Sequence, residues 1–225
     1  MRFALAFLLL IISQSCSLIN SDIAASQSKS KPKSTTKQAP DSTKANSASP
    51  ATTVPGEEQS KYKEGDNLSK FLRTTKVRDR SLKVKNLVDF VDQGKKTVFI
   101  AVKPDCVFCE TLLATMQDYS SKTKFKQKIV FFTDAKHASV DAFLKKSNEY
   151  SQIPATWIYD DQNKLAETFA LSAFPRFLII DAKHKLIKDQ RGLVPPADRE
   201  SLKGLEIPVI LQKISESTID WLKVQ

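Results

Sequence analysis

Cysteine and histidine are both scarce in this chain of 225 residues, and each scarcity removes an architecture. Three cysteines, Cys16, Cys106 and Cys109, are too few for a domain stapled by disulfides. Two histidines, His137 and His184, form no spaced pair, and there is no second C-x-x-C. A zinc site would therefore lack two of its four ligands. No metal or cofactor is expected, and both histidines read as surface residues rather than catalytic ones. No basic helix with interleaved aromatics appears either. The formal charge of +10 comes from lysines scattered among acids, which describes a solvated surface and gives nucleic acid no footing. Glycine is scarce, at five residues, and no internal repeat is visible.

What is present begins at the N-terminus. Arg2 precedes the unbroken apolar run Ala4–Ile12, which is too short to span a bilayer and suited to an export signal. Small and polar residues follow at once in Ser13-Gln14-Ser15-Cys16. Residues 1–25 are accordingly expected to be an export signal. Cys16, preceded by a small residue, resembles the lipidation site of bacterial lipoproteins, although Ser13 stands where Leu is preferred. The alternative is cleavage further on, for example after Ala25. Lipidation would tether the protein to the membrane. Residues 26–63 are Ser, Thr, Lys, Ala, Pro and Gln with almost no large apolar side chain. That composition cannot offset chain entropy, so a disordered tether is expected there, with a folded domain over residues 64–225.

In the folded part, buried strands are predicted where apolar β-branched runs occur: Thr97–Val102, Ile129–Thr133, Thr156–Tyr159 and Arg176–Ile180. Helical spacing marks Cys106 to about Lys122, Ser139 to about Tyr150, Lys164–Ala170 and Pro208 to about Leu222. Strands alternating with helices give an α/β fold, a mixed central sheet flanked by helices on both faces. Leu186–Gln190 follows Arg176–Ile180 too closely for a crossover, so these two should form an antiparallel hairpin.

Cys106-Val107-Phe108-Cys109 lies between a buried strand and a helix N-terminus. Free N–H groups and the positive end of the helix dipole favour a thiolate there. Cys106 is the expected nucleophile, and Cys109, one turn on, can resolve a mixed disulfide. A lone C-x-x-C is also half of a zinc site, so the motif needs support from elsewhere.

That support is Ala173-Phe174-Pro175-Arg176-Phe177-Leu178-Ile179-Ile180-Asp181, a strand opened by a proline long after the cysteines. Together with strand–Cys-x-x-Cys–helix, it resembles the thioredoxin superfamily. The distance from Cys106 to Pro175 resembles the TlpA/ResA-like branch, which inserts a helix–strand unit before its cis-proline, here Ser139–Asp160. The resemblance implies a thioredoxin-like fold and an exported thiol–disulfide oxidoreductase using Cys106 and Cys109 as a redox-active disulfide. Its implied partners are exported thiol or disulfide proteins and a redox partner protein, on the periplasmic or cell-envelope side. Pro175 with Phe174 would hold substrate backbone, and Arg176 reads equally as a partner contact or a surface residue. Three positions depart from the family and are expected to tune the pair. Asp105 replaces a customary Trp, and either caps the helix or raises the Cys106 pKa. Val107 and Phe108 replace Gly-Pro or Glu-Pro. Phe108 offers a thiolate no charge or donor, unlike the His of strong periplasmic oxidants, which favours a reductase over an oxidase. Glu110 stands nearest to the acidic residue many members carry beside the pair.

Other readings stay open. The domain also reads as a binding or chaperone module at the membrane whose cysteines are an idle disulfide, or as a disulfide isomerase or oxidase. A peroxidatic site is disfavoured, because Val102-Lys103-Pro104-Asp105-Cys106 lacks the Pro-x-x-x-Thr/Ser frame. Copper delivery of the Sco type needs a wider cysteine spacing and a distal His.

Overall fold

The long apolar runs form the centre of a seven-stranded sheet. The computed structural model describes residues 59–225; the expected export signal, Cys16 and the tether up to residue 58 lie outside the described residues. In chain order the elements are α1 (Ser69–Thr74), β1 (Lys76–Asp79), β2 (Val84–Asn86), a 3₁₀ turn (Leu87–Phe90), β3 (Thr97–Ala101), α2 (Val107–Lys122) and β4 (Lys128–Asp134). There follow α3 (Val140–Glu149), β5 (Thr156–Asp160), α4 (Lys164–Thr168), β6 (Arg176–Ile180), β7 (Leu186–Arg191), a second 3₁₀ turn (Arg199–Leu202) and α5 (Ile207–Val224). The strand order is β2-β1-β5-β4-β3-β6-β7. β3, β4 and β5 run parallel, β6 is antiparallel to β3, and β7 closes the expected hairpin on β6.

Every residue of β3 and β6 is buried, which is why these strands read as continuous apolar runs rather than alternating ones. Successive side chains still point to opposite faces. Val98 and Ile100 pack with α2, α3 and α5, while Phe99 and Ala101 pack with α1, α4 and the first 3₁₀ turn. Each layer thus has its own core. α2 contributes Cys109, Leu112, Leu113 and Met116, a stripe at helical spacing that turns one face to the sheet and to α5. Burying side chains of this size contributes roughly 1.5–3 kcal/mol each before chain entropy is counted.

Two features differ from the sequence expectation. The antiparallel pair β1–β2 adds an edge to the sheet, joining it through Arg78↔Tyr159 and Asp79↔Ile158. These strands have four and three residues, and only Val77 among them is buried, so no apolar alternation announces them. The folded domain also starts before residue 64. The Lys61 N–H donates to the Thr168 carbonyl at 2.8 Å, and the Tyr62 ring packs against Phe71 and Phe169 at 5.7 and 6.2 Å. One aromatic side chain supplies apolar contact in an otherwise polar stretch. Among the described residues no helix is long and apolar enough to cross a membrane.

Candidate active site

β3, β4 and β5 are parallel, so their C-terminal ends share one edge of the sheet, and the cysteine pair lies just past the end of β3. Lys103, Pro104 and Asp105 turn the chain into α2. The N-cap of this helix is Cys106 itself, in extended conformation, with its Sγ accepting from the Cys109 N–H at 3.1 Å. The expected cap from Asp105 is thus corrected: the sulfur takes the free N–H, and Asp105 is exposed on the rim. Cys106 and Cys109 form a disulfide with Cα atoms 5.1 Å apart. Cys106 retains 6% of its surface and Cys109 only 1%. The same N–H that meets the sulfur here would stabilise a Cys106 thiolate after reduction. Val107 and Phe108 are 63% and 50% exposed.

The second half of the site comes from the connection between α4 and β6. The Phe174–Pro175 peptide bond is cis. The Phe174 carbonyl oxygen lies 3.8 Å from Cys106 Sγ. Lys103, Asp105, Cys106, Val107, Phe108, Ser172 and Phe174 line a hollow of about 340 Å³. Val107, Phe108 and Phe174 give it apolar walls, and Lys103 and Asp105 bring charge beside Cys106. A hollow of about 300 Å³ among Lys96, Lys126, Lys223 and Gln225 lies at the other end of the sheet, where β3 begins.

Arg176 takes no part in this surface. It is fully buried, with its Nε and Nη2 donating to the two carboxylate oxygens of Asp189 at 2.7 and 2.6 Å. Its Nη1 donates to the carbonyls of Phe169 and Ala170, the latter at 3.0 Å. The expectation of a substrate or surface contact is corrected on that ground. The guanidinium, on the residue after Pro175, ties β7 to the end of α4. Asp160 supports the same segment from the other end of α4, accepting the free N–H groups of Lys164, Leu165 and Ala166 at 2.9, 2.7 and 3.2 Å. Burial pushes its carboxyl pKa up to about 6 against these three donors, with the charge of neighbouring Asp134 adding to the rise.

Both histidines are corrected as well. His184 is buried at 9% exposure in the β6–β7 turn, with Nδ1 3.1 Å from Ser69 Oγ. His137 is part-buried. Its ring Nδ1 is 2.7 and 2.9 Å from the two oxygens of Asp134, and its backbone N–H donates to the same carboxylate at 2.9 Å. A carboxylate only accepts, so Nδ1 is the donor. The ring stands edge-on to Phe174 with centroids 4.7 Å apart. The sequence reading missed this contact, and its one visible signal was Asp-x-x-His at the end of a buried strand. Glu110, in the first turn of α2, turns to α3, where it pairs with Lys146 and accepts from the Tyr150 hydroxyl at 2.8 Å. Burial opposes the charge on Lys146, but Glu110 and Glu149 outweigh it and hold its pKa above the usual value. Burial and the same carboxylate push the Tyr150 hydroxyl up. No cluster of three or more metal-ligating side chains occurs among the described residues.

A family model described as a thioredoxin-like domain matches residues 84–202, which include both cysteines and Pro175. No curated protein sequence matches the chain. Similar solved structures include a secreted Mycobacterium tuberculosis disulfide oxidoreductase homologous to E. coli DsbE, at 15% identity and a TM-score of 0.46, covering 60% of this chain and 96% of that one. An exposed lipoprotein thioredoxin of Streptococcus pneumoniae is 20% identical with a TM-score of 0.44, covering 63% and 97%. The thioredoxin domain of a Bacteroides vulgatus thiol–disulfide oxidoreductase is 15% identical with a TM-score of 0.44, covering 58% and 91%.

Proposed function

This chain belongs to the thioredoxin-like domain family, and on that premise we propose that it is an exported thiol–disulfide oxidoreductase acting on polypeptides through Cys106 and Cys109. In the reductase direction, the Cys106 thiolate attacks one sulfur of a substrate disulfide. A mixed disulfide forms and one substrate thiolate leaves. The Cys109 thiolate then attacks Cys106 Sγ, closes the Cys106–Cys109 disulfide and releases the second substrate thiolate. Two electrons pass to the substrate, and a partner dithiol returns them to the protein. Asp105, Val107 and Phe108 surround the attacking sulfur as tuning positions, while Phe174 and Pro175 hold the substrate backbone. Neither Val107 nor Phe108 offers a thiolate a donor, which favours a reductase over a strong oxidant.

One observation carries this reading: the sulfur of Cys106, the more exposed residue of the pair, caps a helix, accepts an N–H at 3.1 Å and lies 3.8 Å from the carbonyl oxygen of Phe174. A structural disulfide needs neither the hollow nor the asymmetry in exposure. Export rests on the signal-like run Ala4–Ile12, and tethering rests on Cys16.

The test is catalysed reduction of insulin with a dithiol as electron source. Wild type is expected to turn over and Cys106→Ser to lose all catalysis above background. Absence of cysteine-dependent turnover in the wild type would point to a binding module. The reduction potential of the couple gives the direction: a value near that of thioredoxin, about −270 mV, fits a reductase, and one near −120 mV fits an oxidant.

A further inference from the structure

Resting on the exchange reading above, we propose that His137 is a positioning residue that holds the Phe174 side of the substrate hollow in place. His137 lies in the connection between β4 and α3, and Phe174 in the connection between α4 and β6. No backbone ladder joins these two segments. Their link is the edge-on contact of the two rings at 4.7 Å. On the imidazole side that contact is rigidly based, because Asp134 is 1% exposed and takes both the ring Nδ1 and the backbone N–H of His137. The Lys103 ammonium lies 5.8 Å from the centroid of the same Phe174 ring, so the aromatic side chain has neighbours from the connection after β3 as well as from the one after β4.

Phe174 matters because one residue serves two purposes. Its ring lines the hollow, and its carbonyl oxygen is 3.8 Å from the attacking sulfur. A change in the ring's position alters the wall that a polypeptide meets and the backbone beside the reacting atoms. A small disulfide reaching Cys106 needs the sulfur and not the wall. His137 therefore acts on exchange with polypeptides and leaves exchange with small reagents alone.

The experiment compares two rates for the reduced full-length protein: with insulin and with the small disulfide 5,5′-dithiobis(2-nitrobenzoate). His137→Asn keeps a hydrogen-bonding partner for Asp134 and removes the ring. It is expected to slow the insulin reaction about three- to tenfold, the range set by one aromatic contact, with the small-disulfide rate within about twofold of wild type and the potential unchanged. His137→Phe combined with Asp134→Asn restores a ring without an unpaired acid and should recover the insulin rate. Phe174→Ala should slow insulin as well, and adding His137→Asn to it should cost nothing more, since the two act as one unit. An unchanged insulin rate in His137→Asn, an equal fall in both rates, or additive losses in the double variant would overturn the proposal. Should His137→Asn fail to fold, failure of the His137→Phe, Asp134→Asn pair to match the wild-type insulin rate overturns it. A wild type inert towards both reagents overturns the exchange reading itself, and this inference with it.

Discussion

On one side of the hollow Cys106 is fixed by main-chain geometry, whereas on the other the Phe174–Pro175 turn has one main-chain bond, from the Gly192 N–H to the Pro175 carbonyl at 2.8 Å, and otherwise leans on side-chain contacts that involve three other segments. The cysteine side needs a buried strand, a short turn and a helix N-terminus, and its sulfur is met by a backbone N–H. The proline side needs Arg176 bound to Asp189 and to two carbonyls, Asp160 at the start of α4, and His137 against the Phe174 ring. The difference separates two duties. Main-chain geometry tolerates substitution, so the residues around the sulfur are free to set its redox character. Side-chain geometry is specific, so the wall that Phe174 gives the hollow depends on particular distant residues.

If that contrast is right, the largest effect on stability comes from the proline side. Arg176→Ala leaves the Asp189 carboxylate and two buried carbonyls without their partner. It should lower unfolding free energy by roughly 3–5 kcal/mol, seen as a large drop in the denaturant midpoint. Arg176→Lys should recover only part of it, because an ammonium cannot span both Asp189 oxygens and the carbonyls. A loss below about 1 kcal/mol would break the contrast, since it would leave the turn standing without its anchor.

A titration sharpens the same point. The Asp160 pKa is raised from 3.8 to about 6 in the folded protein, chiefly by burial. The native state therefore keeps this proton where the unfolded chain has lost it. Its contribution is fully present below about pH 4 and is lost as pH rises through about 6. Stability should fall across that window by up to about 3 kcal/mol from this group. Equilibrium unfolding at a series of pH values measures the slope, and Asp160→Asn should flatten it.

The smallest structural effect is expected on the cysteine side. Phe108 is half exposed, so Phe108→His should change stability by no more than about 0.5 kcal/mol. It would, however, place a donor beside the Cys106 thiolate, and the reduction potential should rise by about 30–60 mV, the equivalent of one hydrogen bond to a charged group. Redox titration against glutathione measures this. A large loss of stability with no change in potential would reverse the contrast.

The same division explains what was legible in the sequence. β3, β4, β6 and α2 are local patterns of apolar residues at strand or helix spacing, and the C-x-x-C lies between two of them. Pro175 was recognisable through family resemblance. The fates of Arg176 and His137 were not legible. An arginine at the head of the strand RFLII shows nothing of the carboxylate thirteen residues on that neutralises it, or of the carbonyls of Phe169 and Ala170 that fold back to it. His137 reads as a lone polar residue until the chain brings Phe174 to its ring. Asp105 was misjudged for a related reason: an acid before a helix is a good cap, but the sulfur of Cys106 occupies that position. β1 and β2 were missed because strand pairing holds them and burial hardly does.

The central claim is that Cys106 is the attacking sulfur and Cys109 the resolving one. Cys109→Ala, reduced and then exposed to a disulfide-bonded polypeptide, tests it most directly. Mass spectrometry of the non-reduced digest should show a stable mixed disulfide on Cys106, released by dithiothreitol, while Cys106→Ala traps little or nothing. No adduct in the Cys109→Ala protein, or an equal adduct on Cys109 in the Cys106→Ala protein, would contradict the account.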